Sequence, residues 1–303
     1  MPLRAKLRGA SKGIQIQSIM PMADDREKPR VNRAWLRWAG SKARALGALR
    51  PLLDSVTYDL YVEPFVGAAT VFLNLAAPVD AVLADTNSDL IAFLSHLKKE
   101  PEALWQELRA FPTSVSKAYY YSARRKFNAL PPGLTRAATF FFLNRTCFNG
   151  VYRVNCRGEF NVPKGSRRIF QYPSLQELHS VSRKLERAKL MSCDFENTLR
   201  LARPGALFYL DPPYTGGGYD RYSWPPFRSP DLDRLERFVA NIRDQGASVV
   251  ASYSGSKRPQ FVPREFGVKR FSVFRSISGD GSRGKNAEVC AYALDSRRND
   301  QST

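Results

Sequence analysis

Five apolar residues in succession, Ala206-Leu207-Phe208-Tyr209-Leu210, run without a break into Asp211-Pro212-Pro213-Tyr214. A short apolar run closed by a turn signal reads as a buried strand. A carboxylate, two prolines and an aromatic ring then stand where a sheet strand ends, the place where open α/β sheets bind their ligands. The prolines hold φ and remove two backbone donors. What remains is a stiff cup of acceptors, the Asp211 carboxylate and the proline carbonyls, beside a flat ring. Such a cup suits an exocyclic amine on a planar base, with the amine donating and the base stacking. Taken alone, the same residues also read as a Pro-rich loop with Asp as a turn former.

The 303 residues are 43% hydrophobic, enough for a large core and against disorder. No apolar stretch approaches the roughly 20 residues of a membrane span. No apolar N-terminal segment suggests a signal peptide. Cys147, Cys156, Cys193 and Cys290 are scattered and only His96 and His179 could join them, so a zinc site is not expected. The cysteines read as reduced thiols of a cytoplasmic protein.

The net charge is +19, and its distribution matters more than its size. Lys117 to Arg168 holds eleven Lys/Arg against one acid, Glu159, and residues 1–33 hold eight against Asp24, Asp25 and Glu27. A polyanion is the expected partner, nucleic acid first among them. A solvated basic face is the plainer alternative. An anionic membrane surface fits less well, because no basic helix with a clean apolar face stands out.

Residues 1–32 lack periodicity and read as a flexible basic tail. A strand over Thr57–Val62 leads into Glu63-Pro64-Phe65-Val66-Gly67-Ala68-Ala69-Thr70, then a helix candidate, Val71–Leu75. A second strand, Ala81–Ala84, ends at Asp85. Strand, glycine-bearing turn, helix, strand and acid make the pattern of a nucleoside-binding unit. Gly67 would let a ligand approach the main chain, and Asp85 could accept from both ribose hydroxyls. Their alternatives are a helix-start turn and an N-cap. Helical patterns follow at Asp89–Lys98, Pro101–Ala110, Ser116–Asn128 and Thr135–Leu143, and a hairpin-like stretch at Cys147–Arg168. After Pro173 the α/β rhythm returns: helices at Leu175–Ala188 and Ser229–Gln245, strands at Lys189–Ser192, Ala206–Leu210, Ser248–Ser252 and Glu288–Leu294.

Three further clusters carry candidate chemistry. Asp194 and Phe195 follow a strand, where the acid could accept from an adenine amine and the ring cover its face; a cap or turn is the alternative. Trp35–Lys42 could frame a carboxylate or phosphate, or form an amphipathic helix with a core Trp. In the basic insertion, Phe140, Phe141 and Phe142 read as core. Phe148, Asn149, Arg153 and Arg157 lie in its polar, hairpin-like part and read as DNA-facing, with an aromatic able to wedge between bases.

The motifs Trp38-Ala39-Gly40-Ser41-Lys42, Glu63-Pro64-Phe65-Val66-Gly67, Ala84-Asp85-Thr86-Asn87, Leu143-Asn144-Arg145, Phe148-Asn149-Gly150, Arg157-Gly158-Glu159-Phe160-Asn161-Val162-Pro163, Asp211-Pro212-Pro213-Tyr214 and Arg275-Ser276-Ile277-Ser278 occur in this order. Over about residues 33 to 295 the set resembles the Dam-type DNA adenine methyltransferases, the α group of amino-methyltransferases. The resemblance implies a Rossmann-like α/β sheet that uses S-adenosylmethionine, with an inserted helical target-recognition domain carrying a β-hairpin. It implies a cofactor-binding part at 33–87, the recognition insertion at 88–173, the rest of the catalytic domain at 174–295 and a tail at 296–303. Trp38, Lys42, Phe65, Gly67, Asp85, Asp194, Phe195 and Asp211 match cofactor-binding positions; Asp211, Pro212, Pro213 and Tyr214 match the catalytic cup. Arg37, Phe148, Asn149, Val151, Arg153 and Pro163 match DNA-contacting positions, and Arg157, Arg167 and Arg168 join them by charge. Ser41 and Ala69 stand where the family usually has glycine. Phe148 replaces a common tyrosine, and Ser166 occupies a position where some members place a base-reading arginine.

The expected reaction is transfer of a methyl group from S-adenosylmethionine to N6 of adenine in double-stranded DNA. The base is flipped out at a cost of a few kcal/mol, Tyr214 stacks on it, and Asp211 with the Pro212 carbonyl accepts from its amine. Neither metal nor covalent intermediate is expected. The enzyme would act as a monomer in the cytoplasm, on the nucleoid, and a cognate restriction endonuclease is an admissible partner. Rival readings are an amino-methyltransferase for cytosine, RNA or protein glutamine, and a non-catalytic DNA-binding protein.

Overall fold

The computed structural model describes residues 35–38, 40–76, 79–213, 227–254, 259–275 and 284–294. The basic N-terminal tail, Tyr214, the 276–278 part of the last motif and the C-terminal tail lie outside them.

Among the described residues seven strands form one sheet: β1 (Leu60–Glu63), β2 (Asp80–Asp85), β3 (Ala188–Ser192), β4 (Ala206–Leu210), β5 (Ser248–Ser254), β6 (Gly267–Arg275) and β7 (Gly284–Ala293). Their order is β3-β2-β1-β4-β5-β7-β6. Strands β1 to β5 are parallel, and β7 lies antiparallel between β5 and β6. From β1 the chain winds outward through β2 and β3, then returns to the other side of β1 as β4. That reversal opens a crevice at the C-terminal ends of β1 and β4. All five residues of β4 are buried, as a continuous apolar run in a parallel sheet requires.

The helices are α1 (Leu46–Leu53), α2 (Ser88–Lys99), α3 (Pro101–Arg109), α4 (Lys117–Ala129), α5 (Leu134–Thr146), α6 (Leu175–Leu185) and α7 (Ser229–Asp244). Local chemistry starts several of them. Asn87 caps α2, Pro101 opens α3 where its missing N–H costs nothing, and Ser116 caps α4. Ser174 and Glu177 form a reciprocal capping box on α6. Helices α2 to α6 all fall between the neighbouring strands β2 and β3, so one crossover is enlarged into a helical unit. Its axis is α5, buried nearly all round because α2, α3 and α4 pack on it. The expected core role of Phe140, Phe141 and Phe142 holds: Phe141 stacks on Phe93 at 5.2 Å and Phe142 on Phe111 at 4.5 Å. Arg136 ties the unit together. It grips Asp89 with two nitrogens (2.7 and 3.2 Å), donates to the carbonyls of Phe127 and Leu130, and covers the Phe127 ring.

Several sequence expectations are amended. Val71–Leu75 forms only a 3₁₀ turn, Phe72–Asn74, because Leu75 is already extended; so short a run cannot offset the cost of a helix nucleus. No helix covers Trp35–Trp38; α1 begins at Leu46 and keeps Pro51 inside it. Strand β6 has no counterpart in the sequence reading. The hairpin-like stretch doubles back through isolated antiparallel pairs, Cys147 with Lys164 and Val154 with Phe160, rather than a continuous ladder. Pro163 supplies a carbonyl to Phe148 N but has no N–H to extend the pairing. Among the described residues no helix is long and apolar enough to cross a membrane.

Candidate active site

The ends of the four strands on this side of the sheet each deliver an acid: Glu63 closes β1, Asp85 closes β2, Asp194 follows β3 and Asp211 follows β4. All four line one cavity of about 220 Å³, with Trp38, Phe65 and Phe195 among its aromatic walls. Gly150 and Tyr152 from the hairpin-like stretch also line it.

Asp211 is not surrounded by acceptors alone. Lys42, 3% exposed, places its Nζ 2.7 Å from the Asp211 carboxylate and also donates to the Gly40 carbonyl. The motif that could frame a carboxylate thus does so, and the carboxylate is the protein's own. Ser252 on β5 donates to Asp211 Oδ1 across 3.1 Å. Glu63, 2% exposed, accepts from the Tyr61 hydroxyl at 2.9 Å. Burial pushes the Glu63 carboxyl well above the usual carboxylate range, and the nearby Asp211 adds to this; the Tyr61 hydrogen bond and Lys42 pull the other way.

Gly67 is required by a protein side chain. A Cβ there would lie 2.8 Å from Cδ1 of Trp38, and its φ of +47° is left-handed. The indole of Trp38 thus occupies the close approach expected for a ligand. Gly67 N donates to Asp85 Oδ2 and Asn87 N to Asp85 Oδ1. Asp85 therefore joins the β1 turn to the start of α2, while Asn87 takes the N-cap role. Burial raises the Asp85 carboxyl to about 6, against the opposing pull of those two amides. Ala69, where a glycine was expected by resemblance, keeps the left-handed backbone at φ +54°.

Asp194 plays two parts: it caps the 3₁₀ turn after β3 and pairs with Arg234 at 2.7 Å. Arg234 also grips Glu196 and Asp231 and lies 4.9 Å over the Phe195 ring. Phe195 packs on Phe65 at 5.3 Å. Arg234 escaped sequence reasoning because it lies in an ordinary amphipathic helix, α7, and only folding brings it to the wall.

Phe148 is 53% exposed on the short turn Phe148–Gly150, and Asn149 has a left-handed φ of +53°. Arg153, Arg157, Pro163, Arg167 and Arg168 are exposed, and Val151 is half-buried. Arg153 Nε donates to Asn161 across the stretch at 2.8 Å. Arg37 is tied to the base of the stretch by Asn144, which accepts from Arg37 N and donates to the carbonyls of Arg37 and Gly150. Arg145 joins this group. Burial, then the charges of Arg167 and Arg37, pull its guanidinium down to about 10. Burial and Arg167 lower Arg37 as well. The three guanidiniums thus act on one another, and Arg145 also donates to the Trp35 carbonyl at 3.0 Å.

A family model described as D12 class N6 adenine-specific DNA methyltransferase matches residues 38–277. The chain is similar to a DNA adenine methylase of Salmonella typhi, 37% identical over 268 residues that cover 85% of this chain and 93% of that protein. A DNA adenine methylase of Vibrio cholerae serotype O1 is 33% identical over 267 residues, 86% of this chain and 95% of its own length. The Type II methyltransferase M1.LlaDCHI of Lactococcus lactis subsp. cremoris is 30% identical over 276 residues, 87% and 96% of the two chains. With that extent of likeness, and with the acids of four strand ends gathered on one cavity, the chain belongs to the D12 class of N6 adenine-specific DNA methyltransferases.

Proposed function

We propose that this enzyme holds S-adenosylmethionine in the cavity at the β1–β4 crevice and methylates an adenine flipped out of duplex DNA into its Asp211 side. The observation that carries the reading is the shared wall: Asp85 and Asp211 line the same cavity, with Lys42 buried against Asp211. The residues present fit the cofactor. Asp85 keeps lone pairs for ribose hydroxyls, since each oxygen accepts one amide only. The rings of Phe65 and Phe195 offer apolar faces for an adenine. Bound there, S-adenosylmethionine supplies a methyl group already activated by a positive sulfur.

The protein's own groups supply the rest. Lys42 pairs with Asp211 and fixes one side of its carboxylate. Asp211 and the Pro212 carbonyl accept the two hydrogens of the adenine amine, which favours a tetrahedral nitrogen whose lone pair is free to attack. Catalysis is then positioning and electrostatics. Phe148, exposed and two residues from the cavity wall at Gly150, fills the gap left in the duplex. Arg37, Arg145 and Arg167 take phosphates, which relieves their mutual repulsion. Residues 88–173 serve as the recognition unit in this reading.

Incubation of the protein with labelled S-adenosylmethionine and duplex DNA, followed by nucleoside mass spectrometry, tests it. N6-methyladenine is expected from the wild type and none from Asp211→Ala of unchanged fold. Label in cytosine, or full activity in that variant, would refute the assignment.

A further inference from the structure

Beneath Asp211 lie two hydroxyls to which the methyl-transfer reading gives no separate role. Tyr209, on β4, and Ser252, on β5, are both fully buried. Their oxygens are 2.8 Å apart, and Ser252 Oγ is 3.1 Å from Asp211 Oδ1. The β4–β5 register pairs Leu210 with Ala251, so the next residue on each side, Asp211 and Ser252, fall abreast.

Elementary counting orders these contacts. A serine hydroxyl has one hydrogen and two lone pairs, and an ionised carboxylate can only accept. The single hydrogen of Ser252 goes to Asp211, so the Tyr209 hydroxyl must donate to Ser252. Burial and the neighbouring Asp211 hold the Tyr209 phenol far above its ordinary value, which keeps it a donor. The chain runs Tyr209 to Ser252 to Asp211, each bond polarising the next. A sheet interior does not need such a chain. An apolar pair of similar shape would be close to neutral for stability.

We infer that Ser252 and Tyr209 are positioning residues for methyl transfer: the ordered hydroxyl chain fixes one Asp211 oxygen from below and so holds the carboxylate in a single orientation toward the adenine amine. The inference deepens the proposed function and rests on Asp211 being the acceptor.

Steady-state kinetics on Ser252→Ala, Tyr209→Phe, the double variant and Asp211→Ala, with cofactor and DNA titrations and denaturant unfolding on each, tests it. Loss of a hydrogen bond to a charged group predicts a fall in kcat of about 10-fold or more for Ser252→Ala. Tyr209→Phe loses only the polarising second bond and falls by about 3-fold. The double variant falls no further than Ser252→Ala, because Tyr209 reaches Asp211 only through Ser252. KM and the two dissociation constants stay within about 2-fold, the signature of an interaction felt in the transition state. Should Ser252→Ala fail to fold, Tyr209→Phe, which keeps the ring, carries the test. A kcat within about 2-fold of wild type in a folded Ser252→Ala, with Asp211→Ala inactive, overturns the positioning role alone. So do losses that multiply in the double variant or fall wholly on KM. An active Asp211→Ala instead overturns the reading of Asp211 on which the role rests.

Discussion

The ammonium of Lys42 lies 2.7 Å from the Asp211 carboxylate, joining residues 169 apart in sequence, and only 3% of Lys42 is exposed. The pair connects the 3₁₀ turn just before α1 to the end of β4. It changes the character of the cup expected at the end of β4 from a bare set of acceptors to an acceptor with a fixed counter-charge.

Lys42→Met therefore leaves a partly buried carboxylate without its counter-charge. The expected loss is about 3–5 kcal/mol, the range for breaking a buried pair from one side. Urea unfolding of the variant reads it. A midpoint unchanged from wild type would mean that Asp211 finds another partner.

Gly67→Ala sets a methyl against the Trp38 ring at 2.8 Å and forces an L side chain to a φ of +47°. The two effects together cost about 1–3 kcal/mol. The indole has to move, so the tryptophan emission spectrum should shift and cofactor affinity should fall. An unshifted spectrum with wild-type affinity would contradict the packing.

Asp85 provides the pH dependence. Its folded carboxyl titrates near 6, above the ordinary carboxylate range. Ribose hydroxyls donating to it favour the ionised form, so cofactor binding releases a proton. Affinity for S-adenosylmethionine is then full above that value and declines as pH falls through it. The sign for folding is opposite. The native state binds the extra proton between the ordinary carboxylate range and about 6, so Asp85 stabilises less as pH rises through that window. Calorimetric titration above and below the window should show the decline for the wild type and a flat profile for Asp85→Asn.

Phe148→Ala removes a ring that is 53% exposed. Stability should change by no more than about 0.5 kcal/mol, as for surface positions generally. Methylation of paired duplex should drop, whereas a target adenine already unpaired should be methylated nearly as well, since the wedge acts on extrusion. Parallel assays on matched and mismatched duplexes check this. Equal losses on both would move Phe148 from extrusion to simple binding.

Much of this was legible in one dimension. The run Ala206–Leu210 had to be a buried strand because nothing in it can face water. Glu63, Asp85, Asp194 and Asp211 could be placed at strand ends because each follows a β-rich run. The helices α2 to α6 showed themselves by period, caps and Pro101. Strand β6 did not, because Lys269 and Arg270 interrupt its apolar alternation and its pairing with β7 is set across the sheet. The roles of Lys42, Gly67 and Arg234 were hidden for the same reason: each is defined by a partner far away in the chain.

From its order of residues alone, this protein's class and the acids at the ends of its parallel strands were settled, since burial patterns and turn chemistry are local and short-ranged. Which acid is paired, which is pushed up by burial and which joins two loops was decided only on folding. Those properties come from desolvation and from charges or hydroxyls brought within hydrogen-bond reach by neighbouring strands. Lys42 and Ser252 on Asp211, and Trp38 over Gly67, exist only once β1, β4 and β5 lie side by side.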